Sequence, residues 1–127
     1  MLSSPSEVYY LIELVRCYTH PDVEALSQDL PVLIDFLLSV GEKHWAHWFK
    51  KNAELIRGSD FRGIEGILSS FGGMGSINDL VIHPMNGHTI TEEQIQTANV
   101  TLESLLNSVA EKAQKLYAEE IDDRRRT

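Results

Sequence analysis

Gly72-Gly73-Met74-Gly75-Ser76-Ile77-Asn78-Asp79 lies between two stretches that both carry helical spacing. Its run of glycines, followed by Ser and Asn-Asp, suits a backbone with positive φ and turns closed by short polar side chains. A helix cannot run through it. The segment therefore divides the chain into two helical halves, and the expected fold is all-α: a compact bundle of about five helices around a central glycine-rich loop. Gly72, Gly73, Gly75, Ser76, Asn78 and Asp79 are read as the structural residues of that loop, with Ser76, Asn78 and Asp79 capping backbone groups.

Upstream of the loop, Phe61, Ile64, Ile67, Leu68 and Phe71 mark the buried side of a short helix that Gly72 terminates, with Ser59 or Asp60 as its N-cap. Gly63 and Gly66 weaken the propensity of this helix but suit a close approach by another backbone. The preceding helix, about 42–57, gathers Trp45, Trp48, Phe49, Asn52, Leu55 and Ile56 on one face and Lys43, His47, Lys50 and Glu54 on the other. Core packing is expected for both tryptophans, with indole N–H groups bonded at the core boundary. From Asp22, the residues Val23, Leu26, Leu30, Leu33, Leu37 and Val40 recur at helical spacing up to Gly41. Pro31 implies either a kink there or a fresh start capped by Asp29. At the chain start, Ser4-Pro5-Ser6-Glu7 combines an N-cap, a first-turn proline and a capping-box glutamate, and predicts a helix to about Tyr18.

Downstream, Leu80-Val81-Ile82 and the turn His83-Pro84-Met85-Asn86-Gly87-His88 allow a minimal hairpin pairing 80–82 with 88–90. Thr91-Glu92-Glu93-Gln94 is a second capping box and opens the longest helix. Ile95, Ala98, Leu102, Leu105, Val109 and Leu116 follow a heptad-like spacing that Lys112 interrupts. Residues 119–127 read as a frayed, charged end to a single domain spanning 1–127.

A chain of 127 residues has the size of one domain able to bury a core without disulfides or metal. The first residues lack the basic flank and apolar run of a signal peptide, and no apolar stretch has membrane-spanning length, so a cytoplasmic protein without a membrane partner is expected. Cys17 is the only cysteine, which rules out an intrachain disulfide and a multi-cysteine zinc site.

The net charge is −8, which argues against nucleic acid as a partner because phosphate affinity comes from clustered Lys and Arg. The acidity is concentrated in two blocks. Residues 1–41 hold Glu7, Glu13, Asp22, Glu24, Asp29 and Asp35 against Arg16 alone, and residues 68–110 hold Asp79, Glu92, Glu93 and Glu103 with no Lys or Arg. If these blocks meet, the surface attracts a basic partner; otherwise they are a solvated face that keeps the protein soluble.

Chemical motifs are sparse. His44 and His47, three residues apart, lack the i, i+4 pairing and glutamate of a zincin, and metal binding with His83 or His88 is not expected. The glycine loop lacks the Gly-Lys-Ser/Thr of a P-loop and has acidic flanks, so no phosphate or other cofactor is assigned to it. Ser76 as nucleophile, or Asp79 with His83 or His88 as an acid–base pair, has no spacing to support it, and no catalytic residue or enzymatic activity is assigned.

Taken together, Gly41-Glu42-Lys43-His44-Trp45-Ala46, Trp48, Gly58-Ser59-Asp60-Phe61 and the loop Gly72 to Leu80 resemble a small uncharacterised bacterial domain family over roughly residues 32–110. The resemblance implies an all-helical fold and transfers no catalytic residue. In size, acidity and compactness the chain is similar to the immunity proteins that bacteria encode beside secreted toxins. By that analogy a cognate toxin domain is the expected partner, with Glu7, Glu13, Asp22, Glu24, Asp79, Glu92 and Glu93 as its binding residues. A regulatory or adaptor module, or a homodimer, is the alternative, and a small metal-dependent hydrolase the third.

Overall fold

The computed structural model describes residues 21–72 and 75–126. Four α-helices lie among the described residues: α1 (Pro21–Ser39), α2 (Lys43–Arg57), α3 (Arg62–Ser69) and α4 (Ile95–Arg126), with 3-10 turns at Ile77–Asp79, Pro84–Asn86 and Glu92–Gln94. The first of the expected helices, residues 5 to 18, lies outside the described residues.

Helix α1 packs on both α2 and α4, and α3 packs on both α2 and α4, so α2 and α4 stand diagonally across the core. Leu26, Leu30, Leu33 and Leu37 from α1, Phe49 and Ile56 from α2, Ile64 and Ile67 from α3, and Leu102, Val109 and Leu116 from α4 fill it, joined by Ile77 and Ile82 from the connecting segment. Burying side chains of this size contributes about 1.5–3 kcal/mol each, so the bundle is held chiefly by this cluster. No helix among the described residues is long and apolar enough to cross a membrane.

Helix α1 runs unbroken through Pro31, and Asp29 does not cap a new helix. Pro31 is exposed, so the carbonyl it deprives of a donor lies toward water and the helix tolerates it. Asp29 instead accepts hydrogen bonds from Lys112 Nζ and from Ser108 Oγ (2.6 Å), while Lys112 also donates to Ser108 Oγ at 2.6 Å. The lysine that interrupts the apolar spacing of α4 is thus an ionic clamp between α1 and α4. Both partners keep somewhat over a quarter of their side-chain surface in solvent, so the clamp is worth only about 1 kcal/mol. A double-mutant cycle of Asp29→Ala and Lys112→Ala, read by urea unfolding, is expected to return a coupling of about that size; a coupling of zero would leave the helix pair held by apolar burial alone.

The buried line of α4 is Ala98, Leu102, Leu106, Val109, Ala113 and Leu116; Leu105 packs against it only partly buried, and Ala113 fills the core beside the interrupting Lys112. A straight helix turns once per 3.6 residues and drifts off a strict heptad, and the core face drifts with it. Helix α4 continues to Arg126, so the charged end expected from residue 119 is helical as far as that residue. Phe61, at the start of α3, stacks on Tyr117 at 5.8 Å and lies 5.0 Å below the Arg124 guanidinium, which also bonds Glu120. The charged end has something to pack on.

Gly41 ends α1 in the left-handed region (φ 81°), with Gly41 N–H donating to Leu38 O and Glu42 N–H to Leu37 O at 2.8 Å. This is the paired bonding of a Schellman turn. At the end of α2 the positive φ falls on Ser59 (60°), not on Gly58. Asp60 then starts α3: its Oδ1 accepts Arg62 N–H at 3.0 Å and its carboxylate holds the Arg62 side chain, which keeps the Asp60 carboxyl below the usual carboxylate range. Of the two N-cap candidates, Asp60 makes the bond.

Candidate partner-binding surface

The segment from the glycine loop to α4 is built by side chains bonding to backbone. Gly72 and Gly75 adopt positive φ (111° and 80°), as their sequence requires; Gly73 and Met74 lie outside the described residues. Ile77 N–H donates to Ser70 O at 2.9 Å and closes the base of the loop. Asp79 performs the expected cap, its Oδ2 accepting Gly75 N–H at 2.8 Å. Ser76 does not: its hydroxyl is buried and has no hydrogen-bond partner among the described residues. Asn78 is exposed.

No strand forms among the described residues, so the minimal hairpin is replaced by another device. Asn99 of α4 treats Ile82 as a neighbouring strand would: its Oδ1 accepts Ile82 N–H at 2.8 Å and its Nδ2 donates to Ile82 O at 2.9 Å and to Ile95 O at 2.8 Å. The next turn is equally braced. His83 N–H donates to His88 Nδ1 (3.0 Å), Met85 N–H to His83 Nδ1 (3.0 Å), and Asn86 Nδ2 to Val81 O (3.0 Å). Gly87 takes φ 85°, which explains the Asn-Gly pair as a turn without a hairpin.

His88 is buried, its Nδ1 3.0 Å from His83 N and 3.2 Å from His83 O, and its Nε2 lies 3.2 Å from Glu42 Oε1. Glu42 Oε2 in turn accepts Trp45 N–H and caps α2. Thr89 N–H donates to Val40 O at 2.9 Å. The loop is thereby stitched to the α1–α2 turn at two adjacent residues.

Asp79 bonds Gly75 and the carboxylate at His88 is that of Glu42, so the imagined Asp79–histidine pair is replaced by a structural one. His44 and His47 are exposed on α2 while His83 and His88 serve the loop. Among the described residues no group of three or more His, Cys, Asp or Glu side chains is placed to hold a metal ion.

The acidic residues separate into used and unused groups. Asp22 pairs with Lys115 at 3.1 Å and Asp29 with Lys112, so the meeting of α1 and α4 neutralises part of the first acidic block. Glu24, Glu92, Glu93 and Glu103 are exposed; Glu7 and Glu13 lie outside the described residues. Thr91 and Gln94 form the expected capping box, and Glu92 and Glu93 occupy the turn that leads into α4, where negative charge is favourable. Across the molecule, the outer face of α2 exposes Lys43, Lys50, Lys51 and Arg57. Since α2 and α4 are diagonal, these basic residues, with Glu54 among them, lie away from the N-terminal half of α4, which exposes Glu103 and no Lys or Arg.

Two clefts flank the N-terminal half of α4. One, of about 420 Å³, lies against the end of α1 between Phe36, Val40, Ile90, Glu93, Ala98 and Thr101. The other, of about 350 Å³, lies against the glycine-loop turn and contains Glu103. Between them the braced turn holds Met85 and Val81 in solvent, 89% and 51% exposed. Sequence reading placed Glu103 in the second acidic block but not among the binding residues, and it missed Asn99 and the Glu42–His88 pair. Only the last had a local signal, a glutamate directly after a helix-ending glycine.

Residues 38–91 match the family model of a domain of unknown function, DUF6966. The matched segment begins just before the α1–α2 turn and ends just after Thr89, so the Val40–Thr89 and Glu42–His88 bonds close it upon itself. It falls within the 32–110 span of the resemblance drawn from the sequence. No curated protein and no solved structure matches the chain.

Proposed function

We propose that this chain is an immunity-type protein that acts in the cytoplasm of the cell that makes it. It binds a cognate secreted toxin domain with a basic active-site cleft, such as that of a nuclease, and blocks it from the acidic side of α4. The observation that carries this reading is the diagonal separation of charge, with Glu92, Glu93 and Glu103 exposed on one side and the lysines of α2 on the other. Such a distribution orients as well as attracts a basic partner and raises the rate of encounter.

The test begins with affinity capture of the tagged full chain from its own cells, followed by growth rescue when any recovered secreted-effector domain is expressed with and without it. For that pair, Glu92→Lys with Glu93→Lys is expected to slow association about tenfold at low ionic strength and to flatten its salt dependence. An unchanged association rate would remove these two residues from the interface, and failure of rescue would remove the toxin.

One observation favours the second reading, an adaptor or homodimer. Met85 and Val81 are apolar and exposed on a turn whose backbone is hydrogen-bonded, a combination suited to an interface anchor. Sedimentation at increasing concentration distinguishes the two, because a homodimer gains mass without any partner.

A further inference from the structure

We propose that the cleft between the glycine-loop turn and α4 receives a single lysine or arginine side chain of the protein partner. Its floor is apolar, formed by Ile77, Leu80, Leu102 and Leu106, of which only Leu80 has appreciable exposure. Its rim is polar, formed by Asn78, Glu103 and Asn107, all exposed. Asn99 also lines it, but its carboxamide is committed to Ile82 and Ile95 and serves as wall.

Apolar floor and acceptor-bearing rim match a side chain with an aliphatic stem and a cationic head. The stem covers Leu80 and its neighbours while the head meets the carboxylate of Glu103 and the amide oxygens of Asn78 and Asn107. The competing occupants fare worse. A neutral apolar side chain would strip water from Glu103 and offer it no partner, and an acidic one would meet like charge. Glu103 makes no ion pair among the described residues, and residues 68–110 contain no Lys or Arg that would compete for it. At about 350 Å³ the cleft is near the lower limit of small-molecule pockets, about 300–1,000 Å³, and one long side chain is an occupant of suitable size.

This inference deepens the partner-binding reading and rests on it only in taking the side chain from a protein. The probe is therefore a peptide. The ¹⁵N-labelled full chain is titrated at low ionic strength with acetyl-Gly-Arg-Gly-amide and the corresponding lysine peptide, with norleucine and glutamate peptides as controls. Saturable shifts are expected at the amides of Asn78, Glu103 and Asn107 for the two cationic peptides, with about fivefold weaker binding for norleucine and for the cationic peptides to Glu103→Gln. Glu103 is exposed, so E103Q keeps the remaining spectrum and serves as its own folding control. No saturable response at these amides, an equal response to norleucine, or an unchanged affinity in E103Q overturns the proposal. The two readings fail separately. Peptide binding here without toxin neutralisation keeps the cleft and refutes immunity, whereas neutralisation with a failed titration refutes the cleft alone.

Discussion

Gly63→Ala is expected to destabilise the protein by about 2–3 kcal/mol, although alanine is the better helix former by about 1 kcal/mol. A Cβ at Gly63 would lie 2.6 Å from Asn52 O, 2.7 Å from Ile56 Cγ1 and 3.0 Å from Ile56 N. Two of those atoms are backbone of α2 and cannot swing aside, so α2 and α3 must separate and loosen Ile56, Ile64 and Ile67 between them. Gly66 is crowded differently: its Cβ would meet Asn52 Oδ1 at 1.9 Å, a side chain that is itself buried and donates to Trp48 O. Trp48 Nε1 donates to Gly66 O at 3.1 Å and accompanies the same contact with a bond to Ser70 Oγ. Urea unfolding of Gly63→Ala, Gly66→Ala, Asn52→Ala and the Asn52→Ala/Gly66→Ala double variant tests this. The double variant should lose less than the two single losses combined, because removing the Asn52 carboxamide makes room for the methyl group. Gly58→Ala is the control, since its Cβ would make only ordinary contacts at 3.6 Å. If Gly63→Ala raised stability, intrinsic propensity would outweigh the close approach and the α2–α3 interface would have to be wider than described.

The second large effect is expected at Asn99. Asn99→Ala removes three hydrogen bonds and leaves the N–H and C=O of Ile82, a fully buried residue, without partners. An orphaned buried polar group costs about 1–3 kcal/mol, so a loss of about 2–3 kcal/mol is expected, with the damage concentrated in the segment from Leu80 to Thr89. Amide hydrogen exchange reads both terms. Protection at Ile82 and His83 should fall much further than protection in α1 and α2, and the clefts on either side of α4 should lose their definition. Asn99→Asp separates the contributions, because it keeps an acceptor for Ile82 N–H but offers no donor to Ile82 O or Ile95 O. Unaltered exchange at Ile82 in Asn99→Ala would mean that burial of the Ile82 side chain alone holds the segment.

Both predictions concern residues whose roles differ in how much of them could be read from the sequence. The glycines of α3 stood out as misplaced in a helix, and a close neighbour is the physical reason for such glycines. Asn99 carried no such mark. A lone Asn in a long helix is ordinary, and what it bonds to lies 17 residues upstream in a segment without regular structure. The His83–Gly87 turn was legible as a turn from Asn-Gly, but its brace by ring nitrogens depends on where two imidazoles happen to point.

For the candidate surface the same division holds. The absence of Lys and Arg from residues 68–110 is a property of the sequence, and with it the sign of the charge there. Which acids remain available is not. Asp22 and Asp29 look equivalent to Glu24 in a list of charges, and only the antiparallel approach of α1 and α4 brings Lys115 and Lys112 onto the first two.

The sequence by itself determined the helical class, because apolar residues at helical spacing and capping residues such as Thr91 and Gln94 act within a few positions of one another. It also determined the break at Gly72 to Asp79, since positive φ is a demand made on single residues. The tertiary structure alone decided that α4 runs on to Arg126 over Phe61, that Asn99 stands in for a strand, that Glu42 holds His88, and that Glu103 edges a cleft. Each of these joins residues distant in the chain, and their pairing follows from how the four helices among the described residues bury one common core.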